Sequence, residues 1–378
     1  MTFIIVISTL GFTAVIFFLR NGLYRLDSAS GEENNLSFSV VVAARNEERN
    51  IEKCLQTIFT QNLSDDRYEV IVINDRSQDT TPEILCNLQK RFQNLKVITI
   101  TETPAGISPK KYAVSKGIET AVNEIIVFTD ADCVVQPEWL STIGRYFKPD
   151  TGLVQGITSY EYIDGMNKLF FGLQAIDFLS HGVIAAAAIG CGLPINSNAN
   201  NLAFRKSAFE EIGGYGADNK VVLGDDDHLL QRVWKSKRWK VRFMADNRAN
   251  VETAPTPTVG AVFEQRRRWG SVTVHYRPSQ VLLLSAVFLF YLTIAFTAVA
   301  SFFDASYLSV TISLLFVKLA GELVLLIPGT RIFGKKNLRI FIPPASLIQL
   351  PMVLAAVLLG VFCRFEWKGQ KLARTMRK

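Results

Sequence analysis

The sequence predicts an α/β protein, a Rossmann-like domain with a mostly parallel sheet carried between apolar helices at both ends of the chain. Two observations predict the sheet. Between Leu26 and Gln280, short β-branched runs alternate with helix-length segments, and polar residues gather just beyond the runs. A third predicts the setting: uncharged stretches long enough to cross a bilayer stand at either end. The expected organisation is a membrane anchor over 1–25, a cytoplasmic domain over 26–278, a membrane region over 279–364 and a basic tail over 365–378.

Composition agrees. The 378 residues are 49% hydrophobic, too apolar for a soluble chain, and carry a net charge of +7. In a membrane protein such an excess serves topology and anionic lipid headgroups. No aromatic residues interleave with the basic ones, so a nucleic-acid partner is not expected. The five cysteines are scattered with no C-x-x-C pair, as reduced thiols would be.

Thr2–Leu19 is free of charge and is followed by Arg20 and Arg25. A cleaved signal peptide would put positive charge before the run, so this is read as an uncleaved anchor, N-terminus outside. Ser37–Ala44 and Tyr68–Asn74 are near-continuous apolar runs, as strands buried on both faces require. Asn46 is placed to cap a helix after the first, and Thr81-Pro82 opens one after the second. Leu95–Thr101 and Glu124–Thr129 are further strands around a helix over Lys110–Ala121. From Thr151 the alternation loosens.

Three more apolar runs close the chain: Val281–Phe303, Ala305–Pro328 and Ile340–Cys363. The basic connection over Gly329–Arg339 makes the first two a hairpin around Asp304, with that aspartate outside. Lys318 and Glu322 lie four apart on one face of the second run and can pair. Pro343, Pro344 and Pro351 interrupt the third run, which reads as a span or, with slight preference, a re-entrant segment.

Ligands of such sheets bind beyond the carboxyl ends of the strands. Those ends carry Arg45-Asn46-Glu47, Asp75-Arg76-Ser77 and Asp130-Ala131-Asp132. Two carboxylates one residue apart can share a hard divalent cation and leave its other positions to phosphate oxygens, although a solvated turn looks the same. Asp75 can accept hydrogen bonds from a nucleotide, and it is equally at home in a plain strand-to-helix turn. Gly224-Asp225-Asp226-Asp227 precedes a helix over His228–Lys237, and reads either as a charged cap or as the source of a base. Gln265-Arg266-Arg267-Arg268-Trp269 suits both lipid phosphates and a nucleotide diphosphate. No G-x-G-x-x-G follows the first strand, which argues against a dinucleotide cofactor.

In this order VVAARNEERNI, NDRSQDTT, TDAD, NNLAFRKSAFEEIGGY, GDDDHLLQRV and QRRRW resemble the membrane-integrated family 2 inverting glycosyltransferases of GT-A fold, over Ser37 to Trp269. Asn74 stands where a further Asp is common, and Ala199 replaces the usual glycine of G-x-N-x-A-x-R. The resemblance implies a nucleotide-sugar donor, usually a UDP-sugar, with Mg2+ or Mn2+ held by Asp130 and Asp132. It implies donor contacts from Arg45, Glu47, Asp75, Lys111, Asp130, Gln265, Arg268 and Trp269. By the register of the G-D-D form found in hyaluronan-synthase-like members, Asp226 is the base, with Asp225 beside it. No F-x-V-T-x-K gating loop is evident, which makes a lipid acceptor, as in ceramide-glucosyltransferase-like members, a rival to chain polymerisation and export. A non-catalytic membrane scaffold or transporter is the alternative of another class. A nucleotidyltransferase would show glycines where ARNEERN has none.

Overall fold

The structure, a computed structural model, describes residues 1–29, 35–104, 107–215, 224–270, 276–362, 365–367 and 370–372. In chain order the first elements are α1 (Thr2–Tyr24), β1 (Phe38–Ala44), α2 (Ile51–Ile58), β2 (Tyr68–Asp75), α3 (Thr81–Arg91), β3 (Leu95–Ile100), α4 (Pro109–Thr120) and β4 (Ile125–Asp130). Then come β5 (Cys133–Val135), α5 (Trp139–Tyr146), β6 (Thr151–Gly156), β7 (Thr158–Tyr160), α6 (Lys168–Gly190), β8 (Leu202–Arg205), α7 (Lys206–Glu211), α8 (Asp225–Ser236), β9 (Lys240–Met244) and β10 (Val251–Thr253). The chain continues through α9 (Val259–Gly270), α10 (Pro278–Ala300), α11 (Ser306–Ile332) and α12 (Ile342–Phe362) to the short pair β11 (Phe365–Trp367) and β12 (Gln370–Leu372).

These elements form two compact units. One comprises 26–161, 196–254 and 366–378; the other comprises 1–25, 162–195 and 255–365. The sequence reading drew a single domain over 26–278, so the units interleave where that reading is continuous. The difference comes from α6 and α9, which group with the apolar helices although they fall inside the strand–helix stretch.

In the first unit a seven-stranded sheet has the order β3-β2-β1-β4-β8-β6-β9. Strands β1 to β4 run parallel to their neighbours, whereas β8 is antiparallel to both β4 and β6. The Val and Ile residues of β1 and β2 are almost wholly buried, because helices cover both faces of a parallel sheet. A second sheet, β5-β10-β7, extends the unit. Trp139 is fully buried on α5 and donates its indole N–H to Asn201 Oδ1 at 3.0 Å. Asn201 in turn donates to the carbonyls of Ile157 and Ala249, both at 2.8 Å. This buried knot satisfies its polar groups internally, as burial demands.

The second unit holds helices long and apolar enough to cross a membrane; there are five among the described residues, with α6 joining those that cover the four apolar runs of the sequence. Phe12 of α1 stacks on Phe290 of α10 with centroids 4.3 Å apart. Helix α12 is continuous from Ile342 to Phe362, with Pro351 inside it, so the turn-back expected of a re-entrant segment is absent there. Pro343 and Pro344 fall in the first turn, where a missing N–H costs little. Cys363 and most of the basic tail lie outside the described residues.

Candidate active site

Strand register sets the site. Ala44 is level with Asn74, and Ala43 with Asp130, so β1, β2 and β4 finish almost flush. Their next residues therefore emerge on one rim, at the carboxyl edge where α/β sheets bind ligands.

The first two turns are laced together. Asn46 takes a left-handed φ of 54°, which Asn tolerates better than most residues. Its N–H donates to Ser77 Oγ at 3.0 Å, and its Oδ1 accepts from the Gln78 N–H at 2.8 Å. Asn46 is thus a cross-turn tie and not the helix cap expected from the sequence; α2 begins only at Ile51, after Asn50. Glu47 donates its N–H to Thr81 Oγ1 at 2.9 Å and accepts from Asn50 Nδ2 at 2.9 Å. Between these turns lies an open cleft of about 400 Å³ lined by Asn46, Glu47, Arg49, Gln78 and Asp79. Arg45 is half-buried beside it. Asp75 is buried and accepts two hydrogen bonds from Arg76, at 2.7 and 3.1 Å, so its oxygens start out engaged.

At the end of β4, Asp130 and Asp132 stand close to Glu47. Burial, then the charges of Asp130 and Glu47, push the Asp132 carboxyl up to about 6. Cys133 Sγ donates to Asp132 Oδ1 at 3.6 Å, and the buried Cys54 Sγ donates to the Asp130 carbonyl at 3.6 Å. This crowd of hard oxygen donors fits a divalent cation, which would relieve the repulsion. Among the described residues no group of three or more His, Cys, Asp or Glu side chains is arranged to hold a metal ion by itself. That suits an ion whose remaining positions are filled by phosphate oxygens and water.

The three aspartates of Gly224-Asp225-Asp226-Asp227 form the first turn of α8, where the helix dipole favours them. Asp227 Oδ1 accepts from the Ser197 N–H at 2.7 Å, and Asp226 Oδ2 from the Ala199 N–H at 2.9 Å. Asp226 Oδ1 also accepts the Asp227 N–H at 3.0 Å. Burial and the neighbouring Asp225 raise the Asp226 carboxyl to about 7. Asp227 is driven well above the usual carboxylate range by burial and by Asp226.

Lys110 joins the two acidic groups, and the sequence reading missed it. Its Nζ lies 3.6 Å from Asp130 Oδ1 and 3.8 Å from Asp225 Oδ2. Lys111, the residue singled out from the resemblance, is fully buried with its ammonium 5.8 Å from the Tyr215 ring centroid. Two lysines in the first turn of α4 oppose the helix dipole, and that conflict was the available signal that they face carboxylates.

Gln265, Arg268 and Trp269 belong to the helical unit and form a group of their own on α9. Between them Arg266 is buried and committed to Asp177 of α6, with Nε and Nη2 at 2.7 and 2.5 Å from Oδ2. Its guanidinium lies 4.2 Å from the Trp269 ring centroid. Trp269 also meets His181 edge-on at 5.2 Å.

Residues 39–213 match the family model described as glycosyl transferase family 2. The chain is 26% identical over 201 residues to glycosyltransferase AglE of Haloferax volcanii, covering 52% of this chain and 60% of that protein. It is 28% identical over 235 residues to the beta-monoglucosyldiacylglycerol synthase of Synechocystis, covering 61% of this chain and 46% of the relative. The matched stretch therefore spans about half the length of these relatives. The mannosyltransferase PcManGT of Pyrobaculum calidifontis, solved with GDP-Man and Mn2+, superposes with a TM-score of 0.60 at 17% identity, covering 95% of this chain and 99% of that one. The fold is thus of the GT-A kind.

Proposed function

Because residues 39–213 form a glycosyl transferase family 2 domain, we propose that the chain transfers a sugar from a nucleotide-sugar donor, a UDP-sugar in the first instance, to a membrane-associated lipid or glycan acceptor. One observation carries the reading. A single ammonium, that of Lys110, lies within ion-pair distance of both Asp130 beyond β4 and Asp225 at the start of α8. The acidic pair suited to a metal diphosphate and the carboxylates suited to a base therefore face one small volume.

Asp130 and Asp132 are the residues that would hold Mg2+ or Mn2+. Such an ion would neutralise the leaving diphosphate as a Lewis acid. Arg45, Glu47, Asp75 and Lys111 line or support the nucleotide end of the rim. Asp226 takes the proton of the acceptor hydroxyl while that oxygen attacks the anomeric carbon. The bond to the diphosphate oxygen breaks on the opposite face and its electron pair leaves with the nucleotide, so the sugar is inverted. Backbone N–H donors from Ala199 and Asp227 fix the Asp226 carboxylate and leave each oxygen a second lone pair. The carboxyl's position near 7 suits a base working at neutral pH.

The cytoplasmic face is the proposed location of the domain, from the arginines that follow α1. The test is purified full-length protein offered a panel of UDP- and GDP-sugars with total lipid extract and Mg2+ or Mn2+, the product read by mass. Absence of nucleotide release with every donor would overturn the reading.

A further inference from the structure

The helical unit contains a cavity of about 100 Å³ bounded by residues of α1, α6, α10, α11 and α12. Most of its wall is apolar, yet two carboxylates, Asp177 and Glu322, line it together with Ser180, Tyr291, Ser346 and Gln349. Charges at such depth are expensive unless partnered, and both are partnered. Arg266 binds Asp177 through Oδ2 alone. Lys318 and the Tyr291 hydroxyl both donate to Glu322 Oε1. Among the described residues, Asp177 Oδ1 and Glu322 Oε2 accept no hydrogen bond.

The cations behind these carboxylates are each committed to a carboxylate and to further acceptors. Lys318 is completely buried and also donates to the Ser346 carbonyl at 2.7 Å and to Ser346 Oγ at 3.0 Å. Arg266 further donates to Gln265 Oε1 at 2.9 Å. Ser180 spends its proton on the Asp177 carbonyl at 2.6 Å, which leaves its oxygen as an acceptor. The polar part of the wall is therefore rich in acceptors and electrically balanced.

We infer that this cavity binds the hydroxyl head of a neutral lipid alcohol, a diacylglycerol-like amphiphile, and excludes a lipid phosphate. A hydroxyl donates into the two open carboxylate oxygens while its chains lie along the apolar wall. A phosphate would meet those oxygens with like charge and find no uncommitted cation, a loss like that of any buried unpaired charge. Naming this lipid as the sugar acceptor rests on the transferase reading; the binding site itself does not.

The experiment uses full-length protein in nanodiscs, with 1,2-dioctanoylglycerol and the matching dioctanoyl phosphatidate as probes and native mass spectrometry as the readout. UDP binding is measured in parallel. Diacylglycerol is expected to bind at least about tenfold more tightly than phosphatidate. Ala345→Phe fills the cavity from α12 and should weaken diacylglycerol binding about tenfold or more, with UDP binding unchanged. Glu322→Gln should do the same more mildly; Ala345→Phe keeps the test open if that variant does not fold, because it removes neither partner of an ion pair. Equal or tighter binding of phosphatidate, absence of diacylglycerol binding, or full binding in Ala345→Phe overturns the inference. Diacylglycerol binding without UDP binding or turnover would instead overturn the transferase reading and leave this site standing.

Discussion

Two aspartates carry opposite demands at the scale of single residues. Asp132 must be ionised to hold a cation, yet burial and its acidic neighbours raise it to about 6. Metal affinity should therefore rise steeply with pH between about 5 and 7. Asp132→Asn removes one anionic ligand, so turnover should fall to background, as should that of wild type in excess EDTA; full activity in chelator would discard the metal assignment. Asp226 has the related requirement that it be ionised to accept a proton. With its carboxyl near 7, kcat should climb as pH rises through 7. Asp226→Asn should lower transfer by roughly a hundredfold or more and flatten that profile while donor binding persists. Loss of donor binding in step with turnover would make the residue structural. The stability term has the reverse sign. A carboxyl raised on folding contributes stability below its unfolded value near 4, and loses it as pH rises through the folded value near 7. Thermal melts of wild type should decline across that window by more than those of Asp226→Asn.

Close backbone approach decides the packing of the helical elements. A Cβ on Gly22 of α1 would sit 1.9 Å from the Ala187 carbonyl oxygen, and one on Gly190 of α6 would sit 2.1 Å from the Gly22 carbonyl oxygen. Small residues at a helix crossing are how apolar helices gain van der Waals contact where the hydrophobic effect is weak. Gly22→Val and Gly190→Val should each cost about 1–3 kcal/mol or more through overpacking. They would be read as a lowered Tm and a loss of monodispersity in detergent. Leu10→Ala, on the exposed side of α1, is the control; Tm values matching it for both glycine variants would refute the crossing. This contact was not legible in the sequence, and the reason is general to elements defined by their partners. Parallel strands such as β1 and β2 announce themselves, because burial on both faces forces uninterrupted apolar runs. Helix α6 does not, because Gln174, Asp177, Ser180 and His181 break its apolar run. The partners of Asp177 and His181 become visible only once α9, with Arg266 and Trp269, is in place. The acidic motifs of the candidate site were legible because strand ends and helix starts are local. The Lys110 bridge and the Asn201 knot were not, since both join segments 20 to 115 residues apart.

Across the whole molecule, bulky side chains such as Phe3, Leu282, Phe316 and Leu347 stand exposed on the apolar helices, and Phe302 and Phe303 on the turn after α10. An apolar surface of that extent calls for lipid. Five helices have the length and composition to cross it, but connectivity restricts α6. The chain before Tyr162 and after Ile195 belongs to one folded unit, so a single crossing by α6 would put that unit on both sides of the bilayer. The proposed topology therefore counts α6 as no net crossing and takes its orientation from the positive-inside bias of the remaining helices. Arg20 and Arg25 follow the apolar stretch of α1, and Arg331, Lys335, Lys336 and Arg339 stand at the end of α11 and in the connection to α12. The cytoplasmic placement proposed above puts both sets on that side. The proposed orientation therefore puts the turn between α10 and α11 at Asp304 outside and Cys86 inside. The chain supplies a reporter that tests this orientation, because Cys86 on α3 is exposed while Cys54 and Cys133 are buried. In intact cells treated with a membrane-impermeant maleimide, an Asp304→Cys variant should be tagged on the peptide spanning 304. The Cys86 peptide of the same protein should be tagged only after permeabilisation, both read by peptide mass. Tagging of Cys86 in intact cells, with position 304 protected until they are opened, would invert the orientation and put the sheet and its carboxylates on the outer face.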